Sequence, residues 1–359
     1  MKRIVRPLLA LFACLALALG LAACGGSADS GTTEATDATT EAATDDSTST
    51  DDGTSTDDST STDDSTSTGD GYKIGVIQLV EHDALDAANK GFVDALDESG
   101  IAYTIDQQNA QGDQTACQTI ASKLVGDNDD LILAIATPAA QAVAGATTEI
   151  PIVGTAITDF ADSGLVDSNE APGGNVTGSS DLTPVEAQID MLHTVLPDAK
   201  TVGVLYCTAE ANSELQATMA HEACDKNDLE AVDYTASSSN EIQSVVESMI
   251  GKVDAIYVPT DNTMAASAAL ICSVAEENDI PVIAGEQGIF DAGALCTYTI
   301  DYYELGKVAG QMAVRILQDG EDPATMAIEY YPDDKLELLY NEEQSEKFGI
   351  DASVWESLA

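Results

Sequence analysis

The chain has 359 residues, with 63 Asp and Glu against 13 Lys and Arg, a formal net charge of −50, and only three histidines. Such an acidic surface repels nucleic acid and anionic lipid, which excludes them as partners. The shortage of histidine and the absence of C-x-x-C or Cys/His spacing argue against a metal centre or redox motif.

Read from the first residue, Lys2, Arg3 and Arg6 precede an apolar stretch from about Leu8 to Ala23, ending Leu21-Ala22-Ala23-Cys24. A basic start, a short apolar run and small residues before a cysteine form an export signal. The run is shorter than the roughly 20 residues that a membrane span requires. Residues 1–23 are therefore predicted as a signal peptide resembling those of bacterial lipoproteins. Cys24 is the expected lipidation site, anchoring the protein on the extracytoplasmic face of the cell membrane. Residues 24–71 are almost entirely Ser, Thr, Asp, Glu, Ala and Gly, with 13 acids and no base. With no large apolar side chain to offset the entropy of ordering, this stretch is predicted to be a disordered, self-repelling tether.

The remaining 288 residues, 72–359, carry a net charge of −40 and are numerous enough for two lobes. Their five cysteines, Cys117, Cys207, Cys224, Cys272 and Cys296, allow at most two disulfides and leave one thiol over. Lys73–Gln78 reads as a buried strand. Asp83–Ser99 has helical spacing (Leu85, Ala88, Phe92, Leu96) and stops at Gly100. The alternation continues with a strand over 102–107, a helix over 113–125, a strand over 131–136, a helix opening at Thr137-Pro138 and a strand over 151–155. A joining segment near Val176–Pro184 follows, and the pattern restarts. Helices are predicted over 184–196, 212–227, 241–250, 263–278 and 303–317, and strands over 201–206, 230–234, 254–258, 281–284 and 295–300. Residues 327–340 add further strands and a third crossing.

Strands alternating with helices predict an α/β fold of two Rossmann-like lobes, each with a parallel sheet, joined by crossover strands. Residues 72–182 form lobe 1, residues 183–300 lobe 2, and residues 301–359 a segment returning across the hinge. Open α/β sheets bind ligands beyond the carboxyl ends of their strands, so candidate site residues lie just after each strand.

Eight such segments occur in order. In the first half they are Gln78 to Asp86, Asn109-Ala110-Gln111-Gly112-Asp113, Ala136-Thr137-Pro138-Ala139-Ala140-Gln141 and Ile157-Thr158-Asp159. In the second half they are Glu210-Ala211-Asn212-Ser213, Pro259-Thr260-Asp261-Asn262, Gly285-Glu286-Gln287-Gly288 and Ile300-Asp301-Tyr302-Tyr303-Glu304-Leu305-Gly306. Together they resemble the substrate-binding lipoproteins of ABC uptake transporters, in the family that includes binders of tryptophan and other aromatic amino acids. The resemblance implies a type I periplasmic-binding-protein fold and a small solute held between the lobes. It also implies a cognate permease with its ATPase, no cofactor, and an amino acid as ligand class.

The residues can be tested against that chemistry. An amino acid needs donors for its carboxylate and an acceptor for its ammonium. Arg315 is the only arginine after the signal and lies in a predicted helix, so donors must come from helix N-terminal amides and hydroxyls. Thr137, Ala139 and Ala140 at the opening of one helix are the candidates, with Thr158. Candidate ammonium acceptors are Asp261 and Asp159 first, then Asp181 and Glu286, although Asp261 equally suits a helix cap. Asn109, Asn212, Asn262 and Gln287 are candidate hydrogen-bonding walls or turn residues. Gln78, His82, Asp301 and the pair Tyr302 and Tyr303 complete the set, or else serve helix starts and hinge packing.

Sugar sites favour flat aromatic platforms, and the one Trp, Trp355, lies four residues from the end. A nucleoside, a sugar, or ligand presentation to a receptor kinase are the alternative readings. There is no G-x-S-x-G elbow, P-loop or metal-ligand cluster, and the chain is not expected to be an enzyme.

Overall fold

The computed structural model describes residues 71–358. The expected signal peptide, Cys24 and the expected acidic tether up to residue 70 lie outside the described residues. No helix among the described residues is long and apolar enough to cross a membrane.

The first half runs β1 (Tyr72–Gln78), α1 (Asp83–Ser99), β2 (Tyr103–Asn109), α2 (Gln114–Gly126), β3 (Leu131–Ile135), α3 (Thr137–Ala146), β4 (Ile152–Ile157) and β5 (Val176–Ser180). The second runs α4 (Val185–Val195), β6 (Thr201–Cys207), α5 (Ala211–Lys226), β7 (Glu230–Ala236), α6 (Ile242–Met249), β8 (Ala255–Val258), α7 (Asn262–Ala265), α8 (Ala268–Glu277), β9 (Val282–Ala284), α9 (Gln287–Asp291) and β10 (Cys296–Thr299). The chain ends with α10 (Tyr302–Val314), β11 (Glu329–Tyr330), β12 (Glu337–Tyr340), α11 (Glu342–Phe348) and α12 (Ala352–Leu358).

Two six-stranded sheets result, ordered β11-β5-β4-β3-β1-β2 and β12-β10-β9-β8-β6-β7. Every pairing is parallel except β10 with β12. The central strands β3 and β4 are buried along their whole length because helices cover both faces, as parallel sheets require.

The C-terminal segment does not stay on one side. α10 packs along α1 in lobe 1, β11 extends the first sheet, and β12 extends the second. The chain therefore crosses between lobes at residues 181–184, 300–301 and 331–336. The α1–α10 contact depends on glycine. A Cβ at Gly306 would overlap the Ala88 carbonyl oxygen, and one at Gly91 would overlap that of Tyr303.

Four local expectations change. Val176–Ser180 is not a plain connector but strand β5, because it finds a partner on β4. The helix expected over 263–278 is two helices broken at Ala266 and Ser267, since Asp261 caps the first turn separately. The short helix α9 was not legible from spacing. Among the described residues no disulfide forms: the five cysteines are buried and remain thiols.

Gly306→Ala is expected to lower stability by about 1–3 kcal/mol, because the added methyl must force two helices apart. Gly126→Ala, at a site with open space around it, should be near neutral. Urea denaturation of both variants checks this.

Candidate functional site

The carboxyl ends of the two sheets face each other across the cleft, and the loops after β1, β3, β4 and β5 meet those after β6, β8, β9 and β10. Besides two open grooves of about 290 and 320 Å³ on the α1 side of the lobes, two cavities lie along this seam. An inner one of about 10 Å³, beside the crossings, is lined by His82, Leu85, Asp181, Thr260, Asp261, Asn262, Ala265, Glu286 and Tyr302. An outer chamber of about 150 Å³ lies toward the β2 and β7 edges. Leu79, Val80 and Pro138 line it from lobe 1, and Ala209, Ser237 to Ser239 and Ala266 from lobe 2.

The inner cavity is built from acids. Asp181 follows β5 on the first crossing; its Oδ2 accepts from the Tyr302 hydroxyl at 3.0 Å and its Oδ1 from the Thr158 hydroxyl at 3.3 Å. Burial pushes Asp181 up to about 6, with those hydrogen bonds acting in the opposite direction. Glu286 caps α9, accepting from the backbone N–H of Gly288 at 2.6 Å and of Ile289 at 2.7 Å. Burial still lifts its carboxyl to about 7. No Lys or Arg lines the inner cavity, and none among the described residues pairs with either acid.

Asp261 and Glu210 spend their oxygens on donors at the start of α7 and on Cys207 N. Asp261 Oδ2 accepts from Cys207 N at 2.6 Å and Oδ1 from Met264 N at 2.8 Å. Glu210 accepts from Asn262 Nδ2 at 2.6 Å, Thr263 N at 2.9 Å and Thr263 Oγ1 at 2.7 Å. Burial, together with the Glu210 charge, raises Asp261.

Three hydrogen bonds join the lobes here. His82 Nε2 lies 3.2 Å from Asn262 Oδ1, Gln216 Nε2 donates to Thr158 Oγ1 at 3.1 Å, and Gln114 donates to the Ala209 carbonyl. Burial lowers the His82 pKa, and its Nδ1 is enclosed without a partner.

At the opening of α3, Ala136 adopts φ 83°, a left-handed value costly for a residue with a Cβ. It turns the chain sharply from β3 into the helix. Thr137 Oγ1 is buried without a partner, while Ala139 and Ala140 are fully enclosed and Ala140 N bonds Ala136 O. The Thr137 and Ala139 amides, in the first turn, have no intrahelical acceptor. Opposite, Asn212 donates to Thr260 O at 3.0 Å and leaves its own Oδ1 unpartnered.

Of the residues singled out from sequence, His82, Asp181, Asp261, Asn262 and Glu286 line the inner cavity, and Thr158 bonds to it through Asp181. Others line neither cavity. Gln78 binds Val80 O, Asp86 and Asn89 within lobe 1. Asn109 closes a turn onto Gln111 N at 2.7 Å. Asp159 accepts from Asp162 N and Asn169 Nδ2. Asp301 caps α10 through Glu304 N, and Gln287 sits exposed in an outer groove beside Asp291 and Tyr303. Gln216 was missed, though it stands four residues from Asn212 and so shares its helix face. The chamber residues Ser237 to Ser239 were missed because they carry no motif.

The buried acids set a pH dependence. An acid whose pKa is raised by folding takes up its proton in the folded state first, so stability is gained as pH falls through that value. His82, with a lowered pKa, opposes this below 6.5. The melting temperature is expected to rise by about 3–5 °C between pH 7.5 and 5.5. In Glu286→Gln and Asp181→Asn the rise should shrink, as calorimetry across that range would show.

The chain was compared with known proteins. Residues 73–355 match the family described as ABC transporter substrate binding protein. It is 44% identical over 277 residues to a tyrosine-binding protein of Clostridioides difficile (strain R20291), covering 75% of this chain and 79% of that one. It superposes with TM-score 0.77 and 36% identity on a domain from Streptococcus pneumonia solved in complex with L-Trp, covering 80% of this chain and 98% of the other. A substrate binding protein with adhesive properties from Clostridium difficile, in its ligand-free, open form, is 43% identical and covers 78% and 95%, yet superposes at only 0.60. The lobes are therefore arranged more like those of the L-Trp complex than like those of that open form. The chain belongs to the family of ABC transporter substrate binding proteins, extracytoplasmic binders of small molecules that serve a membrane permease and are not enzymes.

Proposed function

We propose that this protein captures an aromatic α-amino acid between its lobes and delivers it to the permease and ATPase of an uptake transporter. One observation carries the reading: Asp181 and Glu286 are buried at the seam with no cationic side chain beside them. Two buried carboxylates without counter-charge repel an anionic solute and favour an ammonium, which supplies the missing positive charge. The α-carboxylate is then assigned to the first turn of α3, where the free amides and the unpartnered Thr137 hydroxyl provide donors. The outer chamber, with Leu79, Val80, Pro138 and Ala266 as apolar walls and the serines as a polar rim, suits an aromatic ring bearing one polar atom. The similarity to a tyrosine-binding protein and to a domain solved with L-Trp supports the same class. A sugar platform is not offered, since Trp355 stacks on Tyr340 at 4.6 Å and lines neither cavity.

Closure about the three crossings would bury the solute, and contacts from it to both lobes at once would stabilise the closed form. The assignment of Cys24 as a lipidated anchor, with residues 24–71 as its tether, belongs to the same proposal and rests on the signal-like first 23 residues.

Isothermal titration of the protein with L-tyrosine, L-tryptophan and L-phenylalanine, and with the same compounds lacking the amino group, tests the reading. At least one amino acid should bind, and its deaminated analogue should bind about a hundredfold or more weakly, because burying two unneutralised acids is costly. Equal affinity for the deaminated analogue removes the acids from the ligand's ammonium. For the anchor, the full chain expressed in a bacterium should partition into detergent and carry a diacylglyceryl mass on Cys24, and Cys24→Ala should do neither.

A further inference from the structure

We infer that Gln216 is a positioning residue that latches the lobes closed through a polarised hydrogen-bond chain reaching both hinge crossings. This rests on the binding function proposed above and assigns the residue that holds the lobes together independently of the ligand.

Gln216 projects from the second turn of α5 in lobe 2 and is fully buried. Its carbonyl accepts from Thr260 N at 3.2 Å, and its amide also reaches the Thr260 hydroxyl, which fixes the side chain on its own lobe. The amide Nε2 then crosses the seam to Thr158 Oγ1 at 3.1 Å, at the end of β4 in lobe 1. Thr158 donates to Asp181 Oδ1 at 3.3 Å on the first crossing, and Tyr302, at the second, donates to Asp181 Oδ2 at 3.0 Å.

The donor order admits one direction. An amide N–H can only donate to Thr158, so the single Thr158 proton must go to Asp181, whose second oxygen takes the Tyr302 proton. Each link polarises the next, and the chain ends on a carboxylate shielded from water, where such bonds are strongest. Asp181 is also tied to lobe 1 through its backbone N–H to Ile157 O at 3.1 Å. Rotating the lobes apart leaves these lobe 1 bonds intact and, within this chain of bonds, breaks the Gln216–Thr158 link, as it breaks the His82–Asn262 and Gln114–Ala209 bonds elsewhere on the seam. That link is therefore specific to the closed arrangement. A ligand that contacts both lobes acts on an equilibrium which Gln216 already biases.

The test uses Thr158→Val, which keeps the shape and removes the hydroxyl, and Gln216→Leu, which removes the amide. Thr177→Val serves as a stability control: it deletes a buried hydroxyl that bonds Met326 O at 2.7 Å within lobe 1, away from the seam. Spin labels placed by Thr119→Cys and Ser244→Cys, both exposed and on opposite lobes, report the interlobe distance by pulsed electron resonance. Without added amino acid, the ratio of short-distance to long-distance molecules should fall about threefold to tenfold in Thr158→Val and Gln216→Leu, as the loss of one buried hydrogen bond predicts. It should not change in Thr177→Val, whatever that variant does to the melting temperature. Equal ratios in wild type and Thr158→Val, whatever their size, overturn the proposal, as does a fall of the same size in the control.

A second arm uses L-tyrosine as probe. Thr158→Val should raise its dissociation rate by a similar factor while leaving the association rate within about twofold. An unchanged dissociation rate overturns the latch. Failure of L-tyrosine to bind the wild type counts against the ligand assignment alone, because the distance measurement requires no ligand.

Discussion

The contact between α1 and α10 is the constraint on which the architecture depends. Two glycines, Gly91 and Gly306, let the helix backbones approach until carbonyl oxygens occupy the space where Cβ atoms would stand. That approach draws the chain back into lobe 1 after β10 and makes three crossings between the lobes. It also sets the start of α10, and hence the Tyr302 hydroxyl, against Asp181. A longer separation between the two helices would lift Tyr302 off the carboxylate and expose the inner cavity.

The electrostatics of the cleft follow from what that geometry encloses. In a chain of net charge −50 most acids are solvated, and the exposed ion pairs, such as Lys226 with Glu186 at 2.8 Å, contribute little to stability. At the seam the situation reverses. Asp261 and Glu210 are offset by N–H groups in the first turn of α7, which both acids cap. Asp181 and Glu286 have hydrogen bonds but no counter-charge, so closing the lobes on them favours either proton uptake or an ammonium group. The same desolvation that raises their pKa values makes them selective.

Much of the fold was legible because parallel strands buried on both faces are written as short apolar runs, Leu131–Ile135 being the plainest, and amphipathic helices return every 3.6 residues. Val176–Ser180 was not legible as a strand. Its sequence, Val-Thr-Gly-Ser-Ser, lacks an apolar run, and only pairing with β4 and the α10 packing above it supply the missing stabilisation. The candidate site was legible as a set of strand-end positions, and His82, Asn262 and Glu286 came from that rule, whereas Asp181 lay in the segment read as a connector. The rule does not separate a residue that faces the cleft from one that caps its own helix. Asp159 and Asp301 obey the rule as well as Glu286 does, and their oxygens go to nearby backbone and side-chain donors in their own loops.

By itself, then, the sequence determined the class of fold, the two sheets and the family, since these follow from periodicity and from eight ordered segments at strand ends. It also determined that no arginine could meet a ligand's carboxylate and that acids would dominate any cleft. Tertiary structure alone decided which acids are neutralised and which remain open, because that depends on donors brought from other elements: Cys207 N to Asp261, Thr263 N to Glu210, Tyr302 to Asp181. It likewise decided the role of Gln216. Its partner Thr158 is 58 residues away in the chain, and only the meeting of the two lobes places a hydroxyl within reach of its amide.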